Sequence, residues 1–242
     1  VEDDFLIKAN GASIKLNPFA LLDNKLIIKE FQLYNPQINI KKLSNGKWNF
    51  ESLTKGEPDT TQTKSNLSFD LSGIEIIDGK INFNTNLNNI NSNTFDLEHF
   101  KLDNFNLSTN FYLDSSYKKI EIGHLSFVYN NKNVLKELSA KFYLDKNNIK
   151  IDTINLEYNN TFISLSGFVK GIDIDNDTLT IDNIKNKQIG LTLNSSNVDI
   201  NDIKFYVPSI DLLSGNYRLN LLANGTLEEL NIYKMNLITN NS

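Results

Sequence analysis

The strongest constraint on this chain is a two-residue apolar alternation that keeps changing phase. In the stretch Leu26 to Leu53, LIIKEFQLYNPQINIKKLSNGKWNFESL, Leu26 and Ile28 share one parity, and Phe31 and Leu33 share the other. Successive strand side chains point to opposite faces, so one apolar face survives that change only if an extra residue is inserted. A β-bulge is therefore expected between Ile28 and Phe31. Asn35-Pro36 reads as a turn, because Pro has no N–H for a ladder. Ile38 and Ile40 resume the alternation, Asn45-Gly46 predicts a tight hairpin, and Trp48, Phe50 and Leu53 give a heavy apolar end.

Looser copies of this pattern occur before and after. Phe5, Ile7 and Ala9 change phase at Asn10-Gly11 to Ala12, Ile14 and Leu16, which predicts a strand with an irregularity or a tight hairpin. Asn17-Pro18 then suits the cap and first position of a single helical turn, with Phe19 and Leu22 free to plug one end of a sheet. Residues 55–66 are polar and read as a linker, dividing a first unit, residues 1–54, from residues 67–242. Phe69 and Leu71, then Ile74 and Ile76, an Asp78-Gly79 turn, and Ile81 and Phe83 repeat the phase change.

Three aromatic-aliphatic pairs follow at a five-residue spacing: Phe95/Leu97, Phe100/Leu102 and Phe105/Leu107. An odd spacing flips the face at each step, so bulges and bends are expected around Asp103-Asn104. A helix is the rival, but a 3.6-residue period does not survive Asn104 and Asn106.

Beyond Tyr112 the alternation is regular. It runs through Ile120/Ile122, Leu125/Phe127/Tyr129, Leu138/Ala140/Phe142/Leu144, Ile149/Ile151, Ile154/Leu156/Tyr158 and Ile163/Leu165. Short Asn, Asp and Lys loops between them predict a meander in which each strand pairs with the one before. Leu191 and Leu193, Phe205, and Leu219 and Leu221 carry the pattern to the end. The fold class is all-β, with one or two short helical turns.

Composition narrows the function. Hydrophobic residues make up 40% and charged residues 22%, as in a folded domain. A net charge of −5 argues against nucleic acid as the main partner. No apolar run approaches the ~18 residues of a spanning helix. The absence of cysteine removes disulfides, thiolate chemistry and Cys-based zinc sites. Asn-rich composition explains triplets such as Asn66-Leu67-Ser68 and Asn194-Ser195-Ser196 as chance glycosylation sequons.

Candidate chemistry is sparse. His99 and His124 lack any second histidine at i+4 or an H-E-x-x-H context, and each reads as a sheet-surface histidine. Asp173, Asp175 and Asp177 resemble the start of a calcium loop. Thr178 stands where glycine is needed and Ile184 where the bidentate Glu belongs, so the loop fails. No G-x-S-x-G, phosphate-cradling loop or spaced carboxylate pair stands out. No metal or cofactor is called for, and the reading is non-enzymatic.

Several segments resemble AsmA/TamB-type proteins: the Ile-x-Ile after Pro36, the Gly46-Lys47-Trp48-Asn49-Phe50 close, the Ser-x-Leu-x-Gly step ending at Gly167 within Asn148 to Lys170, and the run from Ser195 through Phe205 and Pro208 to Gly225-Thr226-Leu227. These are envelope proteins of diderm bacteria, held in the inner membrane with a long rolled β-sheet in the periplasm. The resemblance implies an inner-membrane helix and an outer-membrane partner region, both outside this chain. It also implies passage of phospholipid between the membranes, or help in assembling outer-membrane proteins.

About fifteen strands at about 4.8 Å each would make a ladder roughly 70 Å long, and six to eight residues per strand give a trough roughly 20–26 Å around. Alternation alone leaves a dry sandwich and an open groove equally allowed. The resemblance implies the groove, an elongated curled antiparallel sheet with an apolar concave face holding phospholipid acyl chains. Its lining would be the residues named above: Ile28, Phe31, Leu33, Ile38, Ile40 and Phe50 in the first unit, then the alternating Phe, Ile and Leu positions from Phe69 to Leu221. A second reading makes the sheet a scaffold that adds a strand from an outer-membrane assembly partner at its edges. A third, an adhesive or carbohydrate-active sandwich, would need exposed aromatics or paired carboxylates on the polar face.

Overall fold

The long apolar run from Phe69 to Phe83 folds as one strand, β5 (Ser68–Asn84, 17 residues), and the sheet is built outward from it. The computed structural model describes residues 5–23, 25–43, 45–51, 68–85, 96, 98–113, 117–172, 180–210 and 213–240. The expected linker at 55–66, the pair Phe95/Leu97 and the Asp173, Asp175 and Asp177 loop lie outside them.

On one side of β5 the chain is the expected meander. β6 (His99–Leu113), β7 (Tyr117–Tyr129), β8 (Asn133–Asp145), β9 (Asn148–Tyr158), β10 (Thr161–Lys170), β11 (Gln188–Asp199), β12 (Asn216–Gly225) and β13 (Leu230–Asn240) each pair antiparallel with the strand before. Asparagine makes the tight turns. Asn130 and Asn131 both hold positive φ between β7 and β8, and Asn159 does so between β9 and β10.

On the other side, β3 (Lys25–Tyr34) and β4 (Gln37–Lys41) both run parallel to β5. β2 (Gly11–Leu16) pairs antiparallel with β3, and β1 (Ile7–Lys8) with β4. The sheet is therefore mixed rather than wholly antiparallel, with 13 strands in one open, curled layer. The residues before and after the polar stretch share it.

Several expected turns are kinks inside continuing strands. Tyr34 pairs with Ile77 and Gln37 with Lys80, the same offset, so the chain passes Asn35-Pro36 without reversing. The Pro36 carbonyl still accepts a bond from Lys80 N at 2.7 Å, so the proline sits where no N–H is needed. Asp78, at φ +52, is a bulge residue opposite that kink, not a turn. Asn10-Gly11 likewise bends one strand into β1 and β2 rather than making a hairpin. The Asn45-Gly46 turn does form, closed by a single Lys42–Trp48 bridge.

The bulges fall where the parity predicted them. β3 carries one extra residue against β2 between Ile28 and Glu30, and β5 one between Leu71 and Ile74 at Gly73, whose φ is +61. β7 also has one between Ile122 and Leu125 against β8, where a loop between two strands was expected. Asn104, at φ +51, marks the bulge that explains the five-residue spacing in β6. Because bulges replace loops, Ile120 to Tyr129 is one strand and Ile149 to Tyr158 another. Strands are fewer and mostly longer than expected, which widens the sheet along the strand direction.

The proline-led turn Pro18–Asp23 forms as a 3-10 helix, yet Phe19 and Leu22 are 77% and 84% exposed. They do not plug the sheet: the turn joins β2 to β3, and both side chains stand in solvent.

Candidate functional site: the apolar trough

Cross-strand register places the expected lining residues on one face. One row runs Ile14, Phe31, Ile74, Thr109, Ile122, Ala140, Ile154, Leu165, Leu193, Leu221, Met235. The next runs Leu16, Ile28, Leu71, Phe111, Ile120, Phe142, Ile151, Gly167, Leu191, Ala223, Ile232. A third joins Leu33, Ile76, Leu107, Leu125, Leu138, Leu156, Ile163 and Ser195, whose hydroxyl accepts from Leu219 N at 2.7 Å. Ile38, Ile81 and Leu102 share a shorter row, as do Ile40, Phe83 and Phe100. Leu144 pairs with Ile149, and Phe127 with Leu135. Phe69 pairs with Leu113 in backbone register.

Among the described residues no second sheet covers this face. Most of its large side chains remain partly exposed. Its small residues are sealed: Thr109 is 2% exposed, Ala140 4%, Ser195 4% and Ala223 1%. Larger neighbours close over small side chains without a covering layer when the face curls inward, so the apolar face is the concave one. Sequence reading passed over Thr109, Ser195 and Ala223 because they are small or polar. Their strand parity was the available signal.

Phe50 and Phe205 lie off the strands and do something other than line the trough. Trp48 stacks on Phe50 with ring centroids 5.8 Å apart and reaches Phe83 at 5.5 Å; Phe83 stacks on Phe100 at 5.0 Å. Phe100 approaches Tyr129 at 6.4 Å, and Phe205 meets Tyr129 edge-on at 5.5 Å. Tyr206 continues the chain of rings to Tyr158 at 5.4 Å. This aromatic wall closes one end of the trough, where the strands β5, β7 and β9 finish.

A helix, Ile200–Lys204, carries Phe205 and Tyr206 to that end, and its own N-cap is Asp199. Asp202 fixes the helix by accepting bonds from Asn159 Nδ2, Asn160 N and Thr161 Oγ1 at 3.0, 3.1 and 2.8 Å. Burial holds the Tyr158 and Tyr206 phenols above their ordinary ionisation range. The Tyr129 hydroxyl donates to the Asp96 carbonyl at 3.1 Å and accepts from its N–H at 2.9 Å.

The opposite face is polar. A ladder of Ser139, Asn155, Ser164, Asn194, Asn220 and Asn236 crosses β8 to β13. Lys119 bonds Glu121 at 2.7 Å, which holds the lysine above and the carboxylate below their usual ranges. His124 lies here as expected, 2.6 Å from Glu137 Oε2 and 2.9 Å from Ser126 Oγ. His99 has the same parity but is not at the surface: it is only 9% exposed, with Nδ1 3.4 Å from Asp96 Oδ2. No group of three or more metal-ligating side chains occurs among the described residues, and none of their helices is long and apolar enough to cross a membrane.

The two sheet edges differ. Among the described residues β13 pairs only with β12, and its Ile232, Met235 and Leu237 stand 55%, 59% and 52% exposed. Lys234 is its single charged residue and it contains no proline.

The chain matches no known family model, no curated protein and no solved structure.

Proposed function

We propose that this protein is a non-enzymatic lipid conduit that holds phospholipid acyl chains along its concave apolar face. One observation carries the reading: rows of Ile, Leu and Phe run from β2 to β13 across a curled sheet with no covering layer among the described residues. An uncovered apolar surface of that extent calls for an apolar ligand. Acyl tails lying in it would gain about 0.8 kcal/mol per buried methylene, while head groups stay in water at the open side. Few polar side chains interrupt the rows, so no strong bond fixes a tail in place, and movement along the trough is passive. The resemblance to AsmA/TamB-type proteins supports the same reading. It adds a periplasmic site, an inner-membrane anchor and a role in phospholipid transport or protein assembly at the outer membrane.

The test is organic extraction of the purified protein followed by mass spectrometry. Near-stoichiometric phospholipid is the expected result. A lipid-free monomer that takes up no added phospholipid would sink the proposal.

The free β13 edge favours a second reading, a scaffold that accepts a strand from an outer-membrane assembly partner. An edge this long, with one charge and no proline, lacks the usual protection against strand addition.

A further inference from the structure

The two edges of the sheet are not equally open to another strand. β1 and β2 are two and six residues long, meet at a bend, and carry Lys8 and Lys15, the second bonded to Glu30 of β3. Shortness, bends and lysines are the usual defences against strand addition. β13 has eleven residues, one charge and no proline. Its one irregularity is Tyr233, the extra residue opposite β12 between Ile232 and Lys234, and residues 234–240 run on regularly beyond it.

That regular segment is complementary to itself. Met235 and Leu237 stand on the apolar face with their partners Leu221 and Leu219, and Asn236 stands on the polar face opposite Asn220. Residues directly opposite in an antiparallel pair share a face. Asn236 set against Asn236 of a second copy therefore sets Met235 against Leu237, and Leu237 against Met235. Each amide can donate and accept, so the two asparagines satisfy one another. Lys234 falls against Ile238 and stands about 13 Å from the second copy's lysine, four residues along at ~3.3 Å each, so no like charges are opposed. A shift of one residue would set Met235 against Asn236 and mismatch the two faces. A shift of two would set Asn236 against Ile238 or Lys234.

We propose that two copies of this chain join edge to edge through β13, antiparallel, with Asn236 on the two-fold axis. The proposal rests on β13 being an edge open to strand addition, and it names the strand that is added. The apolar rows then pass from one copy to the next without a break, from Leu221 and Met235 to Leu237 and Leu219 of the second copy. The polar ladder of Asn194, Asn220 and Asn236 continues in the same way. The edges left outermost are the defended ones, so assembly stops at two.

The chain has no cysteine, so a single introduced thiol reports the register. Asn236→Cys places two thiols across the axis with Cα atoms about 4.5–5.5 Å apart, within disulfide reach. Asn231→Cys, the same change on the same exposed strand, leaves them roughly 30 Å apart. Sedimentation of the purified protein should show a concentration-dependent dimer. Mild oxidation should trap it about tenfold more in Asn236→Cys than in Asn231→Cys. Asn236→Asp, which opposes two like charges, should raise the dissociation constant several-fold with circular dichroism unchanged. Equal trapping by both cysteines would overturn the register, and with it the proposal. A monomer at every concentration that captures an added strand peptide of alternating Val and Thr would overturn the second copy as partner while leaving the edge open. A monomer that captures no such peptide would overturn the open edge as well.

Discussion

Asp202 accepts a hydrogen bond from the Thr161 hydroxyl at 2.8 Å, and Thr161 Oγ1 in turn accepts from Asp199 N at 3.1 Å. This pair locks the helix after β11 onto the β9–β10 hairpin and so holds the aromatic wall. Thr161 is 1% exposed and Asp202 7%, so neither has water as an alternative partner. Asp202→Ala removes three acceptor contacts and strands the buried Thr161 hydroxyl. A loss of about 2–4 kcal/mol is expected in urea unfolding. Asp202→Asn, which keeps one acceptor oxygen, should lose less.

Bulge glycines are not equivalent. A Cβ at Gly73 would lie 2.7 Å from the Lys29 carbonyl, at a φ of +61. Gly73→Ala should cost about 1–3 kcal/mol. At Gly123 the nearest atom is 3.7 Å away and φ is not positive. Gly123→Ala should be neutral or slightly stabilising. Equal effects on melting temperature would contradict this account of the bulges.

Alkali should find the aromatic wall first. Tyr158 and Tyr206 ionise above the ordinary value of 10 in the folded protein because burial disfavours the phenolate. The folded state then holds protons that the unfolded state releases, so this contribution is complete below pH 10 and is lost as pH rises beyond it. Stability measured from pH 8 to 11 should be level and then fall. Tyr158→Phe should flatten that fall.

A charge in the trough tests the lipid reading directly. Leu193 and Ile154 sit mid-row and partly exposed, so a carboxylate there can reach water without unfolding the sheet. Leu193→Asp and Ile154→Asp should each keep the circular dichroism spectrum and reduce co-purified phospholipid several-fold. Unchanged lipid would place the ligand elsewhere.

Edge chemistry predicts association. Met235→Lys and Leu237→Lys put charges on the free strand, and any concentration-dependent dimer or fibre formed through β13 should recede in light scattering. Persistence of such species would move the contact to another surface.

Much of this architecture was readable from parity. The phase change between Ile28 and Phe31 located a bulge, and the five-residue spacing of Phe100 and Phe105 located another. Turn signals misled at Asn35-Pro36 and Asp78-Gly79, because a residue at positive φ serves a bulge as well as a turn, and a missing N–H costs nothing where no partner needs it. The parallel join of β3 and β4 to β5 left no local trace, since register between distant strands is set by side chains that meet only after folding. Phe19 and Leu22 looked like core because hydrophobicity does not say which way a turn between two strands faces.

The parallel join also orders events in time. Lys25 pairs with Ser68, 43 residues on, while Tyr158 pairs with Thr161 across a two-residue loop. Chain-closure entropy alone separates these by about 2 kcal/mol. The meander can therefore zip hairpin by hairpin, whereas β3 and β4, although synthesised before β5, have only β2 and β1 beside them until β5 exists. These strands are made before β5 yet join the sheet only with it, and during that interval one side of β3 and of β4 has no strand beside it.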